Sequence, residues 1–265
     1  MYTSLQLAKK YIGYYIKASN AKGHGIHSPF VYDFVENVLQ NKKNFSACQD
    51  IEQLRKKLLQ DERLINVTDH GAGSAMLTAR KKKVKDIART SLKNKKFAQL
   101  LFRIVGYYKP KTIIELGTSF GITTAYMASA NPDAKIYSIE GSTEIASVAH
   151  ATLTGLGITN VTIVHGNFDE TLSSTLSQAE TADLVFIDGD HRKESTIQYF
   201  RMFLKKINAQ SILIFDDIHW SSGMEEAWDI IKIDPAVTLT IDLFFIGLVF
   251  FKTEIKAKQD FVIRF

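Results

Sequence analysis

Two carboxylates close two successive apolar runs, and glycines follow the first of them. The runs are Ile113-Ile114-Glu115-Leu116-Gly117-Thr118-Ser119-Phe120-Gly121 and Lys135-Ile136-Tyr137-Ser138-Ile139-Glu140. An apolar run, a glycine turn and then a helix-like segment describe a buried parallel strand leading to a helix N-terminus, which is how α/β folds hold nucleotide-like ligands. Gly117 and Gly121 would let a ligand approach the backbone, with Glu115 and Glu140 expected on one sheet edge. A carboxylate at a strand end can accept two O–H donors at once, which fixes a sugar diol.

A second set of residues is acidic. Asp188-Gly189-Asp190-His191 follows one apolar run, and Asp216-Asp217-Ile218-His219-Trp220 follows the next. Strand ends of a parallel sheet lie side by side, so Asp188, Asp216 and Asp217 are expected to crowd together. Such carboxylates repel unless protons or a divalent cation compensate. An oxygen-only set suits Mg²⁺, which keeps waters and can take two substrate oxygens. His191, with an ordinary pKa of about 6.5, suits a general base, and Asp190 is its rival. The alternative is that Asp190 and His191 cap the helix starting near Arg192, and that Asp216 and Asp217 cap a turn. Trp220 is placed either to wall an aromatic pocket or to fill the core.

The elements that must position these residues follow from periodicity. After residue 109, strands are expected at 111–117, 135–140, 161–166, 183–188 and 211–216, with helices at 121–130, 143–156, 169–178, 192–206 and 222–232. Continuous apolar strands fit a parallel sheet covered on both faces. Val237–Phe244 and Gly247–Phe251 leave only two residues between them. No crossover helix fits there, so they pair antiparallel. Before residue 109 the patterns are helical or irregular. Helices are expected over Leu5–Ala18, from a Ser28 cap and Pro29, over Ile51–Leu59, and from an Asn94 cap to Lys109-Pro110. Gly23-His24-Gly25-Ile26-His27 and Asp69-His70-Gly71-Ala72-Gly73-Ser74 are polar glycine-containing loops that could close over a site. They also resemble metal sets, although capping and turn roles are commoner for such residues.

Composition sets limits. With 265 residues, 45% hydrophobic and 23% charged, the chain has room for one α/β domain plus an extension. A single cysteine, Cys48, excludes an intrachain disulfide and any multi-cysteine zinc site. The N-terminus lacks the order of a signal peptide, and the longest apolar run falls short of the ~20 residues a membrane helix needs. A cytoplasmic protein with no membrane partner is therefore expected. The net charge is +5. Much of it lies in Arg80–Lys96, where only Asp86 opposes eight lysines and arginines beyond Arg80. No aromatic residues interleave with the lysines, so a solvated linker and helix face is expected rather than a nucleic-acid surface.

The motif Glu115-x-Gly117-x-Ser119-x-Gly121, followed by Glu140, resembles motif I and its acidic partner in class I S-adenosylmethionine-dependent methyltransferases. The resemblance implies a Rossmann-like seven-stranded sheet of five parallel strands and a C-terminal antiparallel hairpin. It covers about residues 94–251. It also implies a helical N-terminal extension, 1–93, before a catalytic domain, 94–265. In that family the glycine turn passes the methionine part of the cofactor, Glu140 takes the ribose hydroxyls, and Asn167 and Phe168 contact the adenine. The strand-end acids are similar to those of metal-dependent O-methyltransferases of the catechol, caffeoyl-coenzyme A and macrolide sugar types. This implies Asp188, Asp216 and Asp217 as ligands of a Mg²⁺ cofactor, with Asp188 also bordering the S-adenosylmethionine site. Asp217 stands where the catechol type has asparagine. His191 stands where that type places its lysine base. Gln99, with Lys95 or Lys96, fits the helix that approaches the cofactor carboxylate. The expected partner is a small hydroxylated acceptor. A homodimer is compatible with such N-terminal helices, and a nucleic-acid methyltransferase or a non-catalytic scaffold are the rival readings.

Overall fold

A computed structural model describes residues 1–19, 27–41, 46–67 and 80–265. The Gly23–Ile26 and Asp69–Ser74 motifs lie outside these residues. The chain forms two compact units, one of Met1–Asn41 with Ala179–Phe265 and one of Lys42–Gln178.

The central unit carries α3 (Ser46–Leu58), β1 (Leu64–Val67), β2 (Arg80–Lys83), α4 (Val84–Ser91), α5 (Lys95–Tyr108), β3 (Thr112–Leu116), α6 (Ile122–Ala130), β4 (Lys135–Glu140), α7 (Thr143–Gly155), β5 (Val161–His165) and α8 (Phe168–Gln178). Strands β3, β4 and β5 run parallel in that order. Their register sets Glu115 opposite Ser138 and Glu140 opposite His165. Ile113, Ile114 and Leu116 are fully buried. So is most of α6, as expected of a helix apolar all round. Asn94 caps α5 by accepting from the Phe97 N–H, and Lys109 ends it in a left-handed conformation.

Strands β1 and β2 were not expected. They pair antiparallel, Leu64 with Lys83 through Val67 with Arg80. Four consecutive basic residues make a poor strand by propensity. Pairing with Leu64-Ile65-Asn66-Val67 supplies the ladder, and Glu62 takes both Lys83 and Lys85. The basic run is thus an exposed strand and the helix after it, rather than a linker.

The other unit carries α1 (Ser4–Lys17), α2 (Pro29–Phe34), β6 (Leu184–Ile187), α9 (Lys193–Phe203), β7 (Ile212–Asp216), α10 (Ser222–Ile233), β8 (Leu239–Asp242), β9 (Ile246–Phe250) and β10 (Gln259–Val262). Its strand order is β10-β8-β9-β7-β6. β6 and β7 are parallel, whereas β9 runs antiparallel to both β7 and β8. This is the expected hairpin. β10 adds an unforeseen strand parallel to β8. Ser28 precedes α2 as expected, but its side chain makes no capping bond, and α2 continues into a π-helical turn at Val35–Leu39. No helix among the described residues is long and apolar enough to cross a membrane.

Candidate functional site

The turn after β3 reverses the chain through three left-handed residues, Gly117 (φ 101°), Ser119 (φ 47°) and Gly121 (φ 76°). Positive φ is easy for glycine and costly for serine, so Ser119 needs outside support. Its N–H donates to Glu140 Oε2 at 2.9 Å, and its hydroxyl meets Ser91 Oγ at 2.8 Å. The Gly117 and Thr118 N–H groups both donate to the Ile139 carbonyl. At Gly121 a Cβ would lie 3.3 Å from the Ala149 carbonyl, so α7 approaches closely there.

Glu140 ends β4 with its other oxygen accepting from the Ser142 N–H at 3.0 Å. Burial pushes its carboxyl above the usual glutamate range, against the pull of the Ser142, Ser119 and Gly141 N–H donors. Each carboxylate oxygen has a second lone pair, so the group can still accept from a ligand.

Glu115 lies elsewhere than expected. It sits opposite Ser138, two residues short of Glu140, and it is completely buried. The Ser138 and Thr124 hydroxyls both donate to its Oε2 at 2.5 Å, and Thr118 Oγ1 lies 2.6 Å from Ser138 Oγ. Glu115 therefore braces the turn from beneath rather than standing with Glu140 at the sheet edge. Ser138, Thr118, Thr124 and Ser91 were missed in the sequence. A serine inside an apolar strand, as in Lys135–Glu140, was the available signal.

At the end of β5, His165 Nε2 lies 2.9 Å from Thr143 Oγ1. Gly166 (φ 142°) has no room for a side chain, since a Cβ would lie 2.5 Å from Thr171 Cγ2. Asn167 opens α8, its Oδ1 accepting from the Asp169 N–H. Its amide nitrogen is the end that can address a base edge. Phe168 is half-buried beside it.

The acidic residues gather in the other unit. One ligand atom each from Asp188, His191 and Asp216 lie within 4.8 Å of one another. His191 Nε2 is 3.8 Å from Asp188 Oδ1 and 3.9 Å from Asp217 Oδ2. Asp216 is buried at the end of β7. Asp217 adopts a left-handed φ of 54°, its N–H donating to the Phe245 carbonyl. The three-donor group therefore contains His191 in place of the expected Asp217, which borders it. Helix α9 begins after Arg192 with no side-chain cap, so His191 does not serve as one.

Asp190 is not part of this gap. Arg192 grips it bidentately, Nε to Oδ1 at 2.5 Å and Nη2 to Oδ2 at 2.7 Å, and the Tyr199 hydroxyl donates at 3.2 Å. Burial pushes its carboxyl up, but Arg192, Ser195 and Tyr199 more than offset this and hold it below the usual range. A carboxylate so committed is a poor proton acceptor, which favours His191 over Asp190 as the base.

His219 was passed over in the sequence. Its Nδ1 lies 2.9 Å from Glu225 Oε1 and its Nε2 2.8 Å from Asp242 Oδ2, with the ring stacked on Phe244. Two nitrogens facing two carboxylates require both to carry protons. Trp220 is partly exposed rather than core, its carbonyl accepting from the Tyr2 N–H.

Comparison with known proteins gives a consistent picture. Residues 114–218 match a family described as a methyltransferase domain. A catechol O-methyltransferase of Niastella koreensis is 30% identical over 126 residues, 46% of this chain and 55% of that protein. The chain thus matches about half the length of this curated relative. Among solved structures, a Podospora anserina methyltransferase bound to S-adenosylhomocysteine aligns with TM-score 0.58 and 13% identity over 95% of this chain and 98% of that one. The Streptomyces achromogenes O-methyltransferase TomG, in complex with S-adenosylmethionine, aligns with TM-score 0.57 and 17% identity over 82% and 95%. At these identities the structural likeness speaks for a Rossmann-like methyltransferase fold.

Proposed function

We propose that the chain is a class I methyltransferase, which transfers the methyl group of S-adenosylmethionine to a hydroxyl oxygen of a small-molecule acceptor. The observation that carries this reading is Glu140. It ends β4 and already ties the Gly117–Gly121 turn through the Ser119 N–H. In this reading Glu140 accepts the ribose hydroxyls with its remaining lone pairs. The turn at Gly117, Ser119 and Gly121 passes the methionine part, and Glu115 holds that turn in shape. Asn167 and Phe168 address the adenine. We assign 94–265 as the catalytic domain and 1–93 as its extension.

The acceptor belongs with the acids of the other unit. Asp188, Asp216 and a neighbour from His191 or Asp217 suit a divalent cation, Mg²⁺ in the reading from the sequence. Such a cation, when bound, would lower the pKa of an acceptor hydroxyl. The chain's own contribution is to hold the acceptor in this gap and to take its proton there, where His191 and Asp217 face each other at 3.9 Å. Asp188 serves as one of these acids. Asp190 keeps its loop in place through Arg192. Positioning of donor and acceptor then supplies the main acceleration.

The test is methyl transfer from labelled S-adenosylmethionine to a panel of catechols, other phenols and sugars, with and without chelator. Label in a methyl ether, lost with chelator and in Asp188→Ala, supports the reading. Label transferred equally well by Asp188→Ala, or only to nitrogen acceptors, would sink it.

A further inference from the structure

The gap that the proposed function uses differs in one respect from an all-oxygen magnesium site: it includes a nitrogen. We propose that His191 Nε2 is a cation ligand together with Asp188 and Asp216, and that the site takes a first-row transition cation such as Mn²⁺ in preference to Mg²⁺. This rests on the metal-assisted part of the proposed function.

The distances carry the argument. His191 Nε2 stands 3.8 Å from Asp188 Oδ1 and 3.9 Å from Asp217 Oδ2. Hydrogen bonds of this kind need roughly 2.7–3.2 Å, so the imidazole is bonded to neither carboxylate. Ligands about 2.1 Å from a shared ion stand on the order of 3 to 4.2 Å apart, depending on the angle between them. The His191–Asp188 separation falls in that range, and one ligand atom from each of Asp188, His191 and Asp216 lies within 4.8 Å of the others.

The residue before the ring is held in place. His191 follows Asp190, a left-handed residue (φ 51°) whose carboxylate is clamped by Arg192 and Tyr199. His191 Nε2 lies 3.8 Å from Asp188 Oδ1, and α9 begins only after Arg192. His191 caps no helix, so the structure gives the ring no local backbone task.

The donor chemistry selects the ion. Magnesium strongly favours oxygen, whereas imidazole suits manganese and the later first-row metals, and carboxylates accept manganese as well. Ligation through Nε2 withdraws the lone pair a base would need, which leaves Asp217, at the rim of the gap, to receive the acceptor proton.

The experiment uses the full chain freed of metal with chelator and then titrated with Mn²⁺. Electron spin-echo spectroscopy of the bound Mn²⁺ reads ¹⁴N modulation directly. One Mn²⁺ with nitrogen modulation is expected, displaced by Mg²⁺ only at tenfold or greater excess. His191→Asp should keep Mn²⁺, lose the modulation and lose most of the preference over Mg²⁺. Bound Mn²⁺ without nitrogen modulation, or with modulation unchanged in His191→Asp, would overturn the ligand role of His191 and leave the metal-assisted reading standing. A folded protein that binds neither Mn²⁺ nor Mg²⁺ would overturn both.

Discussion

Glu140 accepts the Ser119 N–H on one oxygen and the Ser142 N–H on the other, the Gly141 N–H also draws on it, and its remaining lone-pair capacity is left for a ligand. Two predictions belong to this side chain. Glu140→Ala should weaken S-adenosylhomocysteine binding by at least tenfold, since it removes both the diol acceptor and the brace of the turn; calorimetric titration measures it. Burial also raises the Glu140 pKa above the ordinary 4.5 of glutamate. Protonation destroys an acceptor site, so affinity should begin to fall with acidification at a pH above 4.5. An affinity flat down to pH 4 would argue against Glu140 as the ribose ligand. Glu140, Gly117 and Gly121 were legible in the sequence because residue type and strand-end position coincide. Glu115 was legible as important but not as buried, because its depth depends on the register that sets it opposite Ser138. The hydroxyls of Thr118, Ser138 and Thr124 around Glu115 were not legible, since they come from the turn, β4 and α6 and gather around β3's carboxylate only in the fold.

The strands and helices after residue 109 fall within a few residues of their expected bounds, because apolar runs and glycine turns mark them directly. Elements formed by pairing rather than by local pattern were hidden. β2 is Arg80-Lys81-Lys82-Lys83, and only its ladder with β1 makes it a strand. β10 likewise forms by lying parallel to β8, with Gln259 opposite Leu239. The hairpin offers a test at this scale. Gly247 of β9 lies against the indole of Trp228 from α10, and a Cβ would come within 2.7 Å of Trp228 Cη2. Neither the buried indole nor the strand backbone can yield cheaply. Gly247→Ala should therefore destabilise the protein by about 1–3 kcal/mol, the usual cost of overpacking. Denaturant unfolding measures this, and an unchanged midpoint would mean the indole moves freely.

At the scale of the molecule, the first helix is tied to the C-terminal part of its own unit through charge. Glu225 receives the Lys10 amine at 2.9 Å and the Tyr2 hydroxyl at 2.7 Å, and it also faces His219. Burial alone would lower the His219 pKa, but the bonds and charges of Asp242 and Glu225 outweigh it and raise the group above 6.5. A raised folded pKa means stability that is full below 6.5 and fades as pH climbs through the folded value. Glu225 works oppositely: burial raises it, yet Lys10, Tyr2 and His219 hold it below 4.5, so its contribution fades as acidification passes through its depressed folded value. Melting temperature should thus decline on both sides, and His219→Gln should flatten the alkaline side; an unchanged alkaline limb in the variant would exclude His219 as the cause. None of this was legible in the sequence, because Lys10, His219 and Asp242 are brought together only by folding. The central claim, that the chain binds S-adenosylmethionine, is tested most directly by titrating the purified protein with S-adenosylhomocysteine in a calorimeter, with NAD as control. The account predicts saturable 1:1 binding of S-adenosylhomocysteine alone, abolished in a folded Glu140→Ala variant. A folded wild-type protein that gives no binding heat across a range of temperatures, or a variant that binds as tightly as wild type, would contradict it.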